Sequence, residues 1–186
     1  MVWVWAAILA MDRGDSAEIR RHVRALDAYG PDDAPAQIWL AAQMFAGHLD
    51  VLEGRTAAGL ARVRRVREQL MHGQAPAPGV PGVVTRLLLE DYAAAGEPEA
   101  GLALADEALG MGRGAELWEA EIRRLRAGFL AALGAPAPEI TSELERALTV
   151  ARRQQARAFE EQIRKRSRNA PSATVVLTHD QPKGER

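Results

Sequence analysis

Four histidines, His22, His48, His72 and His179, are the first residues to weigh for chemistry. A helical metal site needs ligands one turn apart, and no two of these share an i, i+4 face; no H-E-x-x-H occurs either. Cysteine is absent, which excludes thiolate zinc sites, disulfides and thiol nucleophiles. Neighbouring carboxylates occur at Glu97/Glu99, Glu143/Glu145 and Glu160/Glu161. The first two pairs are expected in the first turns of helices, where acids complement the helix dipole, and the third on a solvated face. Ser16, Thr56 and Ser142 stand at the starts of apolar-periodic stretches and read as N-caps rather than nucleophiles. No G-x-x-x-x-G-K-[ST] phosphate loop is present. The expectation is therefore a chain that is not an enzyme, with no catalytic, metal or cofactor site.

Two basic groups remain. Arg62, Arg64, Arg65 and Arg67 lie opposite an apolar stripe, as a solvated helix face would. Arg164-Lys165-Arg166-Ser167-Arg168 could grip phosphate, but no aromatic is interleaved for stacking on bases. With a formal net charge of −1, nucleic acid is not an expected partner. The tryptophans Trp3, Trp5, Trp39 and Trp118 are expected to pack in a core.

The elements that carry these residues are helices. The first eleven residues, MVWVWAAILAM, are apolar throughout. That is short of the roughly 20 needed to cross a bilayer, and no basic leader or cleavage site flanks it, so a cytoplasmic, non-membrane chain is expected. A second helix carries Ile19, Val23 and Leu26 on one stripe. The fourth carries Leu60, Val63, Val66 and Leu70, and the seventh Trp118, Ile122, Leu125, Phe129 and Ala132. An eighth begins near Ser142 and carries Leu144, Leu148, Ala151 and Phe159. The Pro/Gly stretch HGQAPAPGVPG separates the two halves. Beyond residue 164 the periodicity fails and a disordered tail over 165–186 is expected. No segment sustains period-two alternation. The reading is all-α, with eight helices in four pairs.

The octets GRTAAGLA and GEPEAGLA, which start at Gly54 and Gly96, share one pattern. The glycines that end the first helix of each pair are Gly14, Gly54, Gly96 and Gly134, at intervals of 40, 42 and 38. A near-constant period with two helices per unit is the mark of a helical solenoid, in which stacked hairpins bury faces that one hairpin cannot. Gly59 and Gly101 fall inside second helices, where glycine costs about 1 kcal/mol relative to alanine. Close helix–helix approach would offset that loss.

These positions resemble the tetratricopeptide (TPR) repeat. The third unit offers Leu88, Tyr92, Gly101 and Ala108, the second Gly47 and Gly59, the first Trp3 and Ala7, and the fourth Ala127 and Leu130. The resemblance implies a right-handed array of four helix pairs over residues 1–164, with units at about 1–31, 34–72, 82–110 and 115–160. Residues 83–160, above all LWEAEIRRLRAGFLAALG, are similar to the C-terminal repeat region of large bacterial signalling ATPases that carry cyclase-like or DNA-binding modules. That likeness implies a non-catalytic protein–protein interaction scaffold, the repeat region of a signalling or transcriptional regulator. The alternative is a regulatory sensor that takes a small ligand or peptide in the concave groove.

In such arrays the first helices line the groove. Carried over by the glycine alignment, the groove positions are Met44 and His48, then Arg86 and Glu90, then Glu121 and Arg124. The competing expectation is that Arg86/Glu90 and Glu121/Arg124 are ion pairs on helix surfaces, worth about 0.2–0.5 kcal/mol each. Trp3, Trp5 and Ile8 on the first helix are candidates for self-association. A terminal unit normally turns a polar face outward, and this one has none, so either a second copy or upstream repeats would cover it.

Overall fold

The computed structural model describes residues 2–27, 35–72, 80–111 and 116–169. Nine α-helices and one short 3-10 turn lie among them, and no strand. They are α1 (Val2–Asp12), α2 (Ser16–Asp27), α3 (Ala36–Leu52), α4 (Thr56–His72), α5 (Val80–Ala95), α6 (Pro98–Gly110), the 3-10 turn η1 (Glu116–Trp118), α7 (Glu119–Ala132), α8 (Ala137–Arg153) and α9 (Arg157–Asn169). The apolar stripes fall inward as expected. Ile19 and Val23 of α2, Leu60, Val63 and Val66 of α4, and Ile122, Leu125 and Phe129 of α7 are all buried.

The four period-setting glycines all take positive φ, at 68°, 86°, 71° and 75°. Each turn has the same backbone bonds. At the second, the Gly54 N–H donates to the Val51 carbonyl at 3.1 Å and the Arg55 N–H to the Asp50 carbonyl at 2.8 Å. This pair of bonds is the Schellman closure, which satisfies carbonyls that the helix end leaves open. Gly14, Gly96 and Gly134 repeat it. So the recurring octet marks one recurring helix stop.

A fifth copy of that stop appears where none was expected. Gln155 takes φ 55° and donates to the Arg152 carbonyl, while Ala156 donates to Ala151. It divides the stretch read as one eighth helix into α8 and α9. The sequence hides this break because glutamine, unlike glycine, gives no stop signal, and left-handed φ is strained for it. The basic run is also helical: α9 continues to Asn169, past the expected tail boundary at 164. The rest of that tail, 170–186, lies outside the described residues.

The caps differ from expectation too. Asp15, not Ser16, closes the start of α2, accepting the Glu18 N–H on Oδ1 at 2.9 Å. Thr56 is the first residue within α4, and Ser142 lies inside α8, which starts at Ala137.

The helices pack in a fixed order. Each odd-numbered helix touches the next odd-numbered one: α1 on α3, α3 on α5, α5 on α7, α7 on α9. Each even-numbered helix sits between its two sequence neighbours, and among the described residues even-numbered helices meet only through side chains, as where Arg67 of α4 reaches Glu107 of α6. One apolar cluster runs from Ala7 to Phe129, and a second joins α7, α8 and α9 around Leu144, Ala147 and Ile163.

Small residues set the tightest approach. A Cβ added to Gly59 would lie 2.5 Å from the Gly47 carbonyl oxygen and 2.7 Å from Val51 Cγ2. One added to Gly101 would enter the ring of Phe129. Backbone-to-backbone contact between α3 and α4 is what offsets the weak helix preference of glycine there.

Candidate functional site

Helix α5 has neighbours on every side: α3, α4, α6, α7 and η1. Residues 82–89 are all buried, so its polar side chains must find partners inside the protein. Arg86 is 3% exposed and donates from Nε to Glu90 Oε1 at 3.0 Å, one helical turn on. Asp91, fully buried, bonds His48 Nδ1 on α3 at 2.6 Å. On α7, Arg124 grips Glu121 with two bonds, 2.8 Å from Nε and 2.5 Å from the terminal nitrogen, and Glu121 is 1% exposed. The Arg86 guanidinium also lies 4.9 Å from the Trp118 ring centre and 5.8 Å from that of Phe159. Those two rings sit 6.1 Å apart and tilted, bringing η1 and α9 over α5.

Five of the six groove positions therefore form one polar cluster across α3, α5 and α7. The sixth, Met44, is core. Neither Arg86/Glu90 nor Glu121/Arg124 is a surface ion pair of the weak kind. Arg86 and Glu121 are shut off from water, and their partners Glu90 and Arg124 are the members that still reach it. Burial pushes the Glu90 carboxyl above its ordinary range, and nearby Glu121 adds to that, while Arg86 and His48 oppose it. Burial likewise raises Asp91 against the pull of its His48 bond. Burial works most strongly against the charge of Arg124, but its hydrogen bond to Glu121 and the charges of Glu121 and Glu90 together outweigh that and raise it. Asp91 was not among the sequence candidates. Its signal was an acid next to Glu90 inside LLLEDY, a run too apolar to be a solvated face.

The remaining sequence candidates are placed as follows. Ile8 is buried in the first apolar cluster and cannot face a partner; the exposed residues of α1 are Trp5 at 56% and Leu9 at 57%. The side chain of Trp3 lies outside the described residues. Of the others, Trp5 is exposed and Trp39 half-buried, against the expectation of core packing, whereas the half-buried Trp118 does pack against the first apolar cluster. The basic stripe of α4 is not simply solvated. Arg64 reaches Tyr92 Oη at 2.8 Å and Glu97 at 3.2 Å, Arg67 reaches Glu107 at 2.8 Å, and Arg62 reaches Asp50 at 3.2 Å. Glu143 does not sit in a first turn; it is buried within α8 and takes Arg123 at 3.1 Å and Arg126 at 3.4 Å from α7. These arginines tie neighbouring helices together.

No group of three or more His, Cys, Asp or Glu able to hold a metal occurs among the described residues. A cleft of about 440 Å³ opens between α3 and α4, lined by Trp39, Gln43, Arg62, Arg65 and Gln69 among others. No helix is long and apolar enough to cross a membrane among the described residues. No family model, curated protein or solved structure matches the chain.

Proposed function

We propose that the chain is a TPR-like helical solenoid and a non-catalytic protein–protein interaction scaffold, the repeat region of a bacterial signalling or transcriptional regulator. The observation that carries the reading is the packing order. Odd-numbered helices follow one another in a row, the backbones of even-numbered helices stay apart among the described residues, and the same glycine stop recurs at intervals of 40, 42 and 38. That order presents one row of helices to a partner, as stacked hairpins do. Within the row, Glu90 and Arg124 are the cluster members that reach solvent, with side chains 21% and 22% exposed.

The test uses the immobilised full chain. A protein partner is retained by the wild type, and Glu90→Gln weakens retention without lowering the melting temperature. Undiminished retention by the variant would move the binding surface elsewhere. The second reading, a sensor for a small ligand, is favoured by the cleft beside Trp39 and Arg65. It would show as a melting shift on adding a metabolite panel, through the linkage of binding to stability, with no protein retained.

A further inference from the structure

The buried cluster does not balance its charge. Among the described residues, three carboxylates, Glu90, Asp91 and Glu121, meet two guanidinium groups, Arg86 and Arg124, and one imidazole, His48. With every acid ionised and the imidazole neutral, the interior holds one excess negative charge. Uncompensated charge at such depth is strongly disfavoured, and groups there change protonation instead. The charges on the other packed helices are engaged elsewhere or exposed, as Arg24, Arg65, Glu68 and Glu99 are. Arg62 and Arg64 on α4 are held by Asp50, Tyr92 and Glu97. On α2, Glu18 takes Arg21 and sits near His22, and Arg20 takes Glu53. On α6, Asp106 takes Arg126 and Glu107 takes Arg67. The described side chains of α1 carry no ionisable group.

Geometry selects where a balancing proton sits. The Asp91 Oδ1 to His48 Nδ1 bond, at 2.6 Å, has the length of a charge-assisted one. Asp91 is fully buried, and its other oxygen, Oδ2, is buried with no hydrogen-bond partner among the described residues. A carboxylate with one oxygen left bare is the weakest point of the cluster and the natural acceptor of the shared proton.

We infer that the His48–Asp91 pair retains one proton at neutral pH and acts as a proton-linked lock that fastens α3 to α5. The pair titrates as a unit, so the proton belongs to both residues. The burial that raises Asp91 works in the same direction. The sign follows from linkage. In the unfolded chain an ordinary histidine loses its proton near pH 6.5 and an aspartate near 3.9, so that state also carries one proton below about pH 6.5. Above it the native pair alone keeps the proton. Stability of the α3–α5 joint is therefore level below about pH 6.5 and falls as pH rises beyond it. This inference stands apart from the scaffold reading, since it needs no partner.

The experiment is hydrogen exchange on the full chain from pH 5.5 to 9, corrected for the intrinsic rate. Opening of α3 and α5 should rise by up to tenfold per pH unit above about pH 6.5, the limit for one linked proton, while α8 stays flat. Asp91→Asn should abolish the slope above about pH 6.5 and give one of opposite sign below it, because a buried His48 without its carboxylate favours the neutral form and loses stability on acidification. Equal slopes in α3, α5 and α8 would overturn the lock. Should Asp91→Asn fail to fold, nuclear magnetic resonance of the wild type decides. An imidazolium signal from His48, or a carboxylic-acid signal from Asp91, that persists above pH 7 supports the inference. A neutral His48 facing an ionised Asp91 at pH 7 refutes it.

Discussion

Helices α1 and α5 treat side chains in opposite ways. In α1 the apolar Trp5 and Leu9 are 56% and 57% exposed. In α5 the charged Arg86 and Asp91 are 3% and 0% exposed. Neighbours account for the inversion: among the described residues α1 touches α2 and α3, whereas α5 is enclosed by five elements. Burial here follows the number of packed neighbours more than residue type. The charges inside α5 persist because each finds a partner on its own helix or on an adjacent odd-numbered one.

The comparison breaks most severely if a partner is removed from the enclosed side. Glu121→Ala leaves the Arg124 guanidinium without its two bonds and should destabilise the protein by about 3 kcal/mol, read from urea unfolding. A loss under about 0.5 kcal/mol would mean the pair behaves as a solvated surface pair. The next effect is steric. Gly59→Ala forces a methyl against the Gly47 carbonyl and should cost about 2 kcal/mol, although alanine is the better helix former. Gly128→Ala is the control, because its Cβ would meet only Arg166 at 3.4 Å, and should stabilise by about 0.5–1 kcal/mol in the same assay. If both glycines respond alike, backbone approach between α3 and α4 is not what holds Gly59 in place. The smallest effect belongs to the exposed side. Leu9→Gln on α1 should change the melting temperature little, within about 0.5 kcal/mol, as for a surface position without special contacts. A large drop would show that Leu9 is covered in solution and that α1 is not the open edge.

Stripe positions and the four glycine stops were legible in the residues, because each is a local property; the count of eight helices fell one short of the nine described. Glycine is the residue that takes positive φ without strain, and an apolar stripe at helical spacing marks its own buried face. The fifth stop was not legible, since Gln155 reaches the same backbone geometry only because the packing of α8 and α9 holds it there. The groove positions show the same division. The repeat register placed His48, Arg86, Glu90, Glu121 and Arg124 on the first helices of their hairpins, and the structure gathers them. Their burial, the role of Asp91 and the closure of Trp118 and Phe159 over Arg86 depend on residues far apart in the chain, such as the 43 positions between His48 and Asp91. The sequence alone determined the four glycine helix stops and which faces are apolar. Tertiary structure decided which charges leave water, because desolvation depends on how many neighbours surround a helix, and no local pattern records that number.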